Sequence, residues 1–301
     1  MLKVFGLIPY KTISQVLFEN SELTHSYSED ADGWMKGYSD VKLHKVRDVT
    51  YTITKPSKAP KSTTSPIIIY AKGNNWDLGW FHRKPYMVSP SNPVRDGVEQ
   101  RSLAQIMADS TGCTVVCFEY PGYGVDDPKN VSTTAAPQYM KRVIMYFRNS
   151  IPSRPIVLWG YSLGAAVVLR TLELLGEETG EHVVGAVLQS SFVTLRDCGL
   201  NTIQRAMLWS MRGDARAGDY GLLRGARHAG VPLVWIHGTE DKLCPMDVVK
   251  QKVYNRYPHQ KLFLELKGSV HNNLPLSAEW EGSCREALRF IIGSVEHSSY
   301  S

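Results

Sequence analysis

No run of about 18 apolar residues occurs in the 301-residue chain, so a membrane-crossing helix is not expected. Nor is there a block of consecutive lysines and arginines. The 34 basic and 29 acidic residues are dispersed and leave a formal net charge of +5, which gives nucleic-acid binding little to build on. Cysteine is scarce. Cys113, Cys117, Cys198, Cys244 and Cys284 are odd in number and irregular in spacing, which argues against a disulfide framework. Cys113 and Cys117 share one apolar run, where free thiols are ordinarily buried, and this usage fits a reducing, cytoplasmic setting. There is no His/Cys ligand cluster and no dinucleotide glycine loop, so neither a metal nor an organic cofactor is expected. No internal repeat is present.

The opening stretch, MLKVFGLIPYKTISQVLF, is mildly apolar but interrupted by Lys3, Pro9 and Lys11. It lacks a continuous signal-peptide core and a small-residue cleavage site. Packing onto the domain is the expectation, with peripheral membrane contact as the alternative.

What the chain does contain is alternation. VKLHKVRDVTYTIT (41–54) alternates apolar and polar residues, as strands of a hairpin or sheet edge do. From Ile67 onward the texture changes to short continuous apolar runs: IIIYA, CTVVCFEY, PIVLWG, VVGAVLQ, PLVWIHG and KLFLEL. Such runs suit strands buried on both faces. Helix-compatible segments separate most of them, at 98–110, 137–149, 163–176, 197–212, 246–257 and 278–292. This order predicts an α/β fold with a mostly parallel sheet and helices on both faces. Residues 1–66 read as a lead-in with edge strands, 67–294 as one core and 295–301 as a tail. Within the core, 80–97 reads as an inserted loop and 191–231 as a short cap.

One junction raises a question of its own. In IVLWGYSLGAAVVL a buried strand meets Gly160-Tyr161-Ser162-Leu163-Gly164 and continues as a helix. A bare G-x-S-x-G arises by accident in roughly one such chain in six, so its place between strand and helix is the informative part. Gly160 and Gly164 permit close chain approach and a strained backbone at Ser162, whose hydroxyl then projects from the sheet's carboxyl edge. The helix behind it presents unpaired N–H groups. The bland alternative is a glycine-lined helix start with Ser162 as its N-cap.

A serine nucleophile needs a base, and the base needs an orienting carboxylate. In chain order these are expected at later strand ends. Asp241 follows the PLVWIHG strand on a glycine turn, and His271 follows KLFLEL. Glu240 and Asp247 compete as acids, His237 and His259 as bases. Place after the last strand favours His271. An oxyanion hole requires two backbone donors, assigned to the N–H groups of Leu163 and Asn74, with Gly73 allowing the turn. KGNN is also an ordinary surface-turn composition.

These residues resemble the α/β-hydrolase superfamily, and within it the short-cap alpha/beta-hydrolase domain-containing group, which includes protein depalmitoylases and relatives filed with prolyl-oligopeptidase-clan serine peptidases. The resemblance runs from about Ile67 to Ile292. It rests on AKGNNWDLG, FEYPGYG, LWGYSLGAAV, IHGTEDKLCP and GSVHNN, and it implies the same roles for Ser162, Asp241 and His271. Lys72 stands where that group has histidine before Gly-Asn. No N-terminal cysteine cluster of the kind that depalmitoylases use as a lipid anchor is seen, so stable palmitoyl-mediated membrane residence is not expected.

The expected activity is hydrolysis of a carboxylic ester or thioester, on a lipid or an acyl-protein, through an acyl-enzyme. The alternatives are a peptidase acting on short peptides and a catalytically silent scaffold. The 191–231 segment spaces Ile203, Met207, Leu208 and Met211 helically beside Arg205, Arg212, Arg216, Arg224 and Arg227. That pattern suits either an apolar acyl groove with a cationic rim or an amphipathic helix packed on the domain.

Overall fold

A computed structural model describes residues 41–58, 64–73, 77–82, 101–123, 135–176, 183–192, 198–199, 230–277 and 279–298. Its described strands are β1 (Leu43–Val46), β2 (Val49–Thr54), β3 (Ile67–Ala71), β4 (Thr114–Phe118), β5 (Ile156–Tyr161), β6 (Val183–Gln189), β7 (Leu233–Gly238) and β8 (Lys261–Leu266). The described helices are α1 (Leu78–His82), α2 (Leu103–Thr111), α3 (Ala135–Ser150), α4 (Leu163–Leu175), α5 (Met246–Lys252) and α6 (Trp280–Ser298).

The strands form one sheet in the order β1-β2-β4-β3-β5-β6-β7-β8. β1 and β2 form an antiparallel hairpin, β2 joins β4 antiparallel, and every pairing from β3–β4 to β7–β8 is parallel. The mostly parallel sheet expected from the apolar runs is therefore present. Of the two lead-in strands only β1 is an edge, because β2 lies between β1 and β4.

Alternation along each buried strand feeds two cores. In β3, Ile67, Ile69 and Ala71 enter the cluster that includes Met140 and Val143 of α3 and Val167 and Leu172 of α4. Ile68 and Tyr70 enter the opposite cluster with Leu103 and Met107 of α2 and Ala287 and Ile291 of α6. A strand with a side-chain period of two and an apolar residue at every position has to be covered on both faces.

Helix boundaries differ from the sequence expectation for local reasons. α2 begins at Leu103 because Ser102 caps it, its Oγ accepting from Gln105 N at 3.2 Å. It ends at Gly112, whose φ of 67° is left-handed. α3 starts two residues before Pro137, since a first-turn proline needs no N–H donor. α5 stops at Lys252, and after one 3-10 turn Tyr257, which precedes Pro258, becomes extended. The segment read as an inserted loop from residue 80 begins inside α1, which Asp77 starts by accepting from Trp80 N at 2.9 Å. Residues 83–97 of that segment, and most of the 191–231 cap with the five arginines named above, lie outside the described residues. No described helix is long and apolar enough to cross a membrane.

Two glycines make the β5–α4 junction. A Cβ on Gly164 would stand 1.9 Å from the Ala71 carbonyl oxygen, and one on Gly160 would stand 2.3 Å from the Gly164 oxygen. α4 therefore lies on β3 and β5 at a distance that no other side chain allows. Gly164→Ala is expected to lower folding stability by at least about 2 kcal/mol through overpacking. Gly293→Ala in α6, where nothing lies within 4 Å of the new methyl, should raise it by roughly 0.5–1 kcal/mol. Urea unfolding of the two variants measures both signs.

Candidate active site

Parallel β3, β4, β5, β6, β7 and β8 bring their carboxyl ends to one rim, and the candidate residues stand just past them. Ser162 follows β5 at φ 52° and ψ −114°, a conformation that a non-glycine residue holds only when its surroundings over-determine it. Its N–H donates to Gln189 O at 2.8 Å. It occupies the N-cap position of α4, yet its side chain makes no capping bond. The hydroxyl instead lies 3.0 Å from His271 Nε2.

His271 Nδ1 stands 2.8 Å from Asp241 Oδ2. A carboxylate facing Nδ1 selects the tautomer with hydrogen on Nδ1 and leaves Nε2 free to accept from the serine. Asp241 Oδ1 accepts from Leu243 N at 3.0 Å and Cys244 N at 2.7 Å. Burial alone would raise the Asp241 pKa. Hydrogen bonds from His237 and His271, the His271 charge and the Cys244 N–H outweigh it and hold the carboxyl well below its usual range.

The acid and histidine loops are tied together: Glu240 N donates to Ser269 O at 3.0 Å, and Gly268 N to Thr239 Oγ1 at 2.9 Å. The His271 carbonyl oxygen accepts from Tyr161 Oη at 2.9 Å and from Ser190 Oγ at 3.3 Å. Ser190 is itself at a positive φ of 46°.

Among the competing residues, Glu240 is exposed, and Asp247 is exposed in the first turn of α5. His259 is exposed beside the Tyr257 ring. His237 is fully buried below Asp241.

On the opposite side of the elbow, a Cβ on Gly73 would meet the Tyr161 ring at 2.7 Å and lie 3.8 Å from Ser162 Cβ. Leu163 is the first residue of α4, where an N–H has no carbonyl partner within its own helix. Asn74 lies outside the described residues.

Lys72 is fully buried: its Nζ lies 2.6 Å from Glu119 Oε1 and 2.7 Å from the Phe118 carbonyl oxygen, 4.6 Å from the Tyr120 ring centroid. Glu119 Oε2 also accepts from Leu78 N at 3.1 Å, and Tyr120 Oη donates to the Lys72 carbonyl at 2.6 Å. This network joins the exits of β3 and β4 to α1. Composition did not disclose it, because Lys72 and Glu119 are 47 residues apart and nothing local pairs them.

Asp241, Cys244 and His271 place a carboxylate oxygen, a sulfur and a ring nitrogen within 4.8 Å of one another. The Asp241 and His271 atoms are engaged with each other. The Cys244 pKa is pushed well up by its hydrogen bond with Cys198 and by burial.

A family model described as alpha/beta hydrolase fold matches residues 95–270. Lysophosphatidylserine lipase ABHD12 of Danio rerio is 22% identical over 225 residues, covering 72% of this chain and 53% of that protein. Its counterpart in Xenopus tropicalis is 23% identical over 263 residues, covering 77% and 65%. The chain thus spans between half and two thirds of the length of these relatives. Among solved structures, the Pyrococcus furiosus esterase Pf2001 superposes with a TM-score of 0.58 at 17% identity, over 85% of this chain and 94% of that one. At that identity the likeness is one of fold.

Two outcomes follow from the site's electrostatics. Lys72→Met leaves the Glu119 carboxylate buried without its cation and is expected to cost roughly 3–5 kcal/mol, with Lys72→Met/Glu119→Gln recovering most of the loss in urea unfolding. The depressed Asp241 pKa contributes stability that is fully present above the unfolded carboxylate value of about 3.9 and lost as pH falls through the folded value. The stability gap between wild type and Asp241→Asn should therefore shrink as unfolding is measured from pH 7 down to pH 3.

Proposed function

The chain belongs to the alpha/beta hydrolase fold family, and from that premise we propose that it is a serine hydrolase that cleaves a carboxylic ester or thioester through an acyl-enzyme on Ser162. The observation that carries this reading is the unbroken line from Asp241 Oδ2 to His271 Nδ1 at 2.8 Å and from His271 Nε2 to Ser162 Oγ at 3.0 Å.

In this mechanism Nε2 takes the Ser162 proton as Oγ attacks the carbonyl carbon. Asp241 stabilises the resulting imidazolium and holds its plane. The developing oxyanion receives the N–H of Leu163, at the positive end of α4, and that of Asn74. As the tetrahedral species collapses, Nε2–H protonates the departing alkoxide or thiolate and the acyl group stays on Oγ. Water then attacks the acyl-enzyme with His271 as base, the acid leaves, and the proton returns to Oγ. The names of the two relatives, both lysophosphatidylserine lipases, support an acyl lipid as the first substrate class to assay.

A fluorophosphonate probe is expected to label wild type and to leave Ser162→Ala unlabelled. His271→Ala should lose at least roughly 10³-fold in kcat/KM on p-nitrophenyl esters, while His259→Ala stays near wild type. Absence of labelling on folded wild type would favour a silent scaffold. Turnover of short peptide amides but not of esters or thioesters would replace the proposed bond class.

A further inference from the structure

β7 reads Leu-Val-Trp-Ile-His-Gly, so His237 is the one ionisable side chain in an otherwise apolar buried strand. Its ring is completely buried and stacks 6.3 Å from Phe263. Nε2 stands 2.7 Å from the Cys244 carbonyl oxygen and 3.4 Å from Asp241 Oδ2. Both neighbours are acceptors, so Nε2 carries the hydrogen. Nδ1 has no hydrogen-bond partner among the described residues. A buried strand position gains nothing from an imidazole with an unpaired nitrogen, because an apolar side chain would avoid that loss. The ring's contribution lies in the Nε2–H.

That hydrogen meets the carbonyl of the same residue whose N–H holds the acid. The Cys244 N–H donates to Asp241 Oδ1, and the Cys244 carbonyl receives His237. The same donor faces Oδ2, the oxygen engaged by His271 Nδ1. The Asp241 carboxylate thus stands between two imidazoles, one on the reacting side and one beneath it. Gly238 sets the spacing: a Cβ there would lie 2.2 Å from the Ser269 oxygen, so β7 ends directly against the histidine loop.

We infer that His237 is a positioning residue, a fourth member of the site that fixes the plane of the Asp241 carboxylate and thereby the ring of His271. The inference rests on the serine-hydrolase reading above. His237 touches neither substrate nor reacting atoms, so its removal acts on geometry within the bound complex and not on binding.

The test uses the full chain with His237→Gln, His237→Asn and His237→Leu. A glutamine amide nitrogen reaches the place of imidazole Nε2, whereas an asparagine amide reaches only that of Nδ1. On a p-nitrophenyl ester, the Asn and Leu variants should lose roughly 10- to 100-fold in kcat, the scale of a misaligned reacting group, with KM nearly unchanged. Gln should restore kcat to within about fivefold of wild type, although Gln and Asn melt at similar temperatures. Equal kcat for Gln and Asn, or wild-type kcat in Leu, overturns the inference. Two NMR measurements do not depend on turnover. Nitrogen shifts of wild type should show His237 protonated on Nε2, and an Nδ1–H tautomer overturns the inference with no variant needed. The low-field His271 Nδ1 proton should persist in Gln and shift or vanish in Asn. Retention of that pattern in a protein that no fluorophosphonate labels would reject the hydrolase reading and leave the positioning intact.

Discussion

Everything at the sheet rim depends on the approach of α4 to β3 and β5. With no Cβ at Gly160 or Gly164, the backbone carbonyls of Ala71 and Gly164 occupy space that a methyl group would fill. The chain must then turn within a single residue, and Ser162 takes up the turn at a positive φ. Strain of this kind persists only where packing on every side holds it. Here the elbow is enclosed by a fully buried strand below, the Tyr161 ring beside it and the β6 carbonyl that accepts the Ser162 N–H. The hydroxyl that results faces His271 and makes no capping bond to its own helix.

Around that elbow the rim is braced on two sides by different physics. The acid and histidine loops are joined by short backbone hydrogen bonds, and the His271 carbonyl is held from beneath by Tyr161 and Ser190. These are neutral interactions with well-defined directions. On the Gly73 side the brace is a fully buried Lys72–Glu119 pair, completed by Phe118, Tyr120 and Leu78. A buried ion pair contributes little net stability compared with apolar packing, but it penalises any rearrangement that separates its charges. Its effect is to hold the exit of β3, from which Gly73 reaches the elbow.

The apolar runs were legible because burial on both faces of a strand leaves no polar position free. β3, β5 and β7 could be read almost to the residue. The elbow was legible because glycine at two fixed offsets has few other uses between a strand and a helix. Helix ends were less so: α3 begins before its proline, α5 breaks where Tyr257 meets Pro258, and α1 runs three residues into the stretch read as an inserted loop. His237 left a trace in the sequence, a lone polar residue in a buried run, but its spacing four residues before Asp241 gave no clue that the two would meet.

By itself the sequence determined the alternation of strands and helices and the chain order of serine, acid and histidine, since both follow from local pattern and from the rule that parallel strands end at one rim. Tertiary structure alone decided the pairings between distant residues: His271 with Ser162 across 109 positions, Lys72 with Glu119, and His237 beneath Asp241. The reason is physical. Periodicity states which face of an element a side chain occupies, whereas a hydrogen bond depends on a few tenths of an ångström between elements, and that distance is set only when the layers pack.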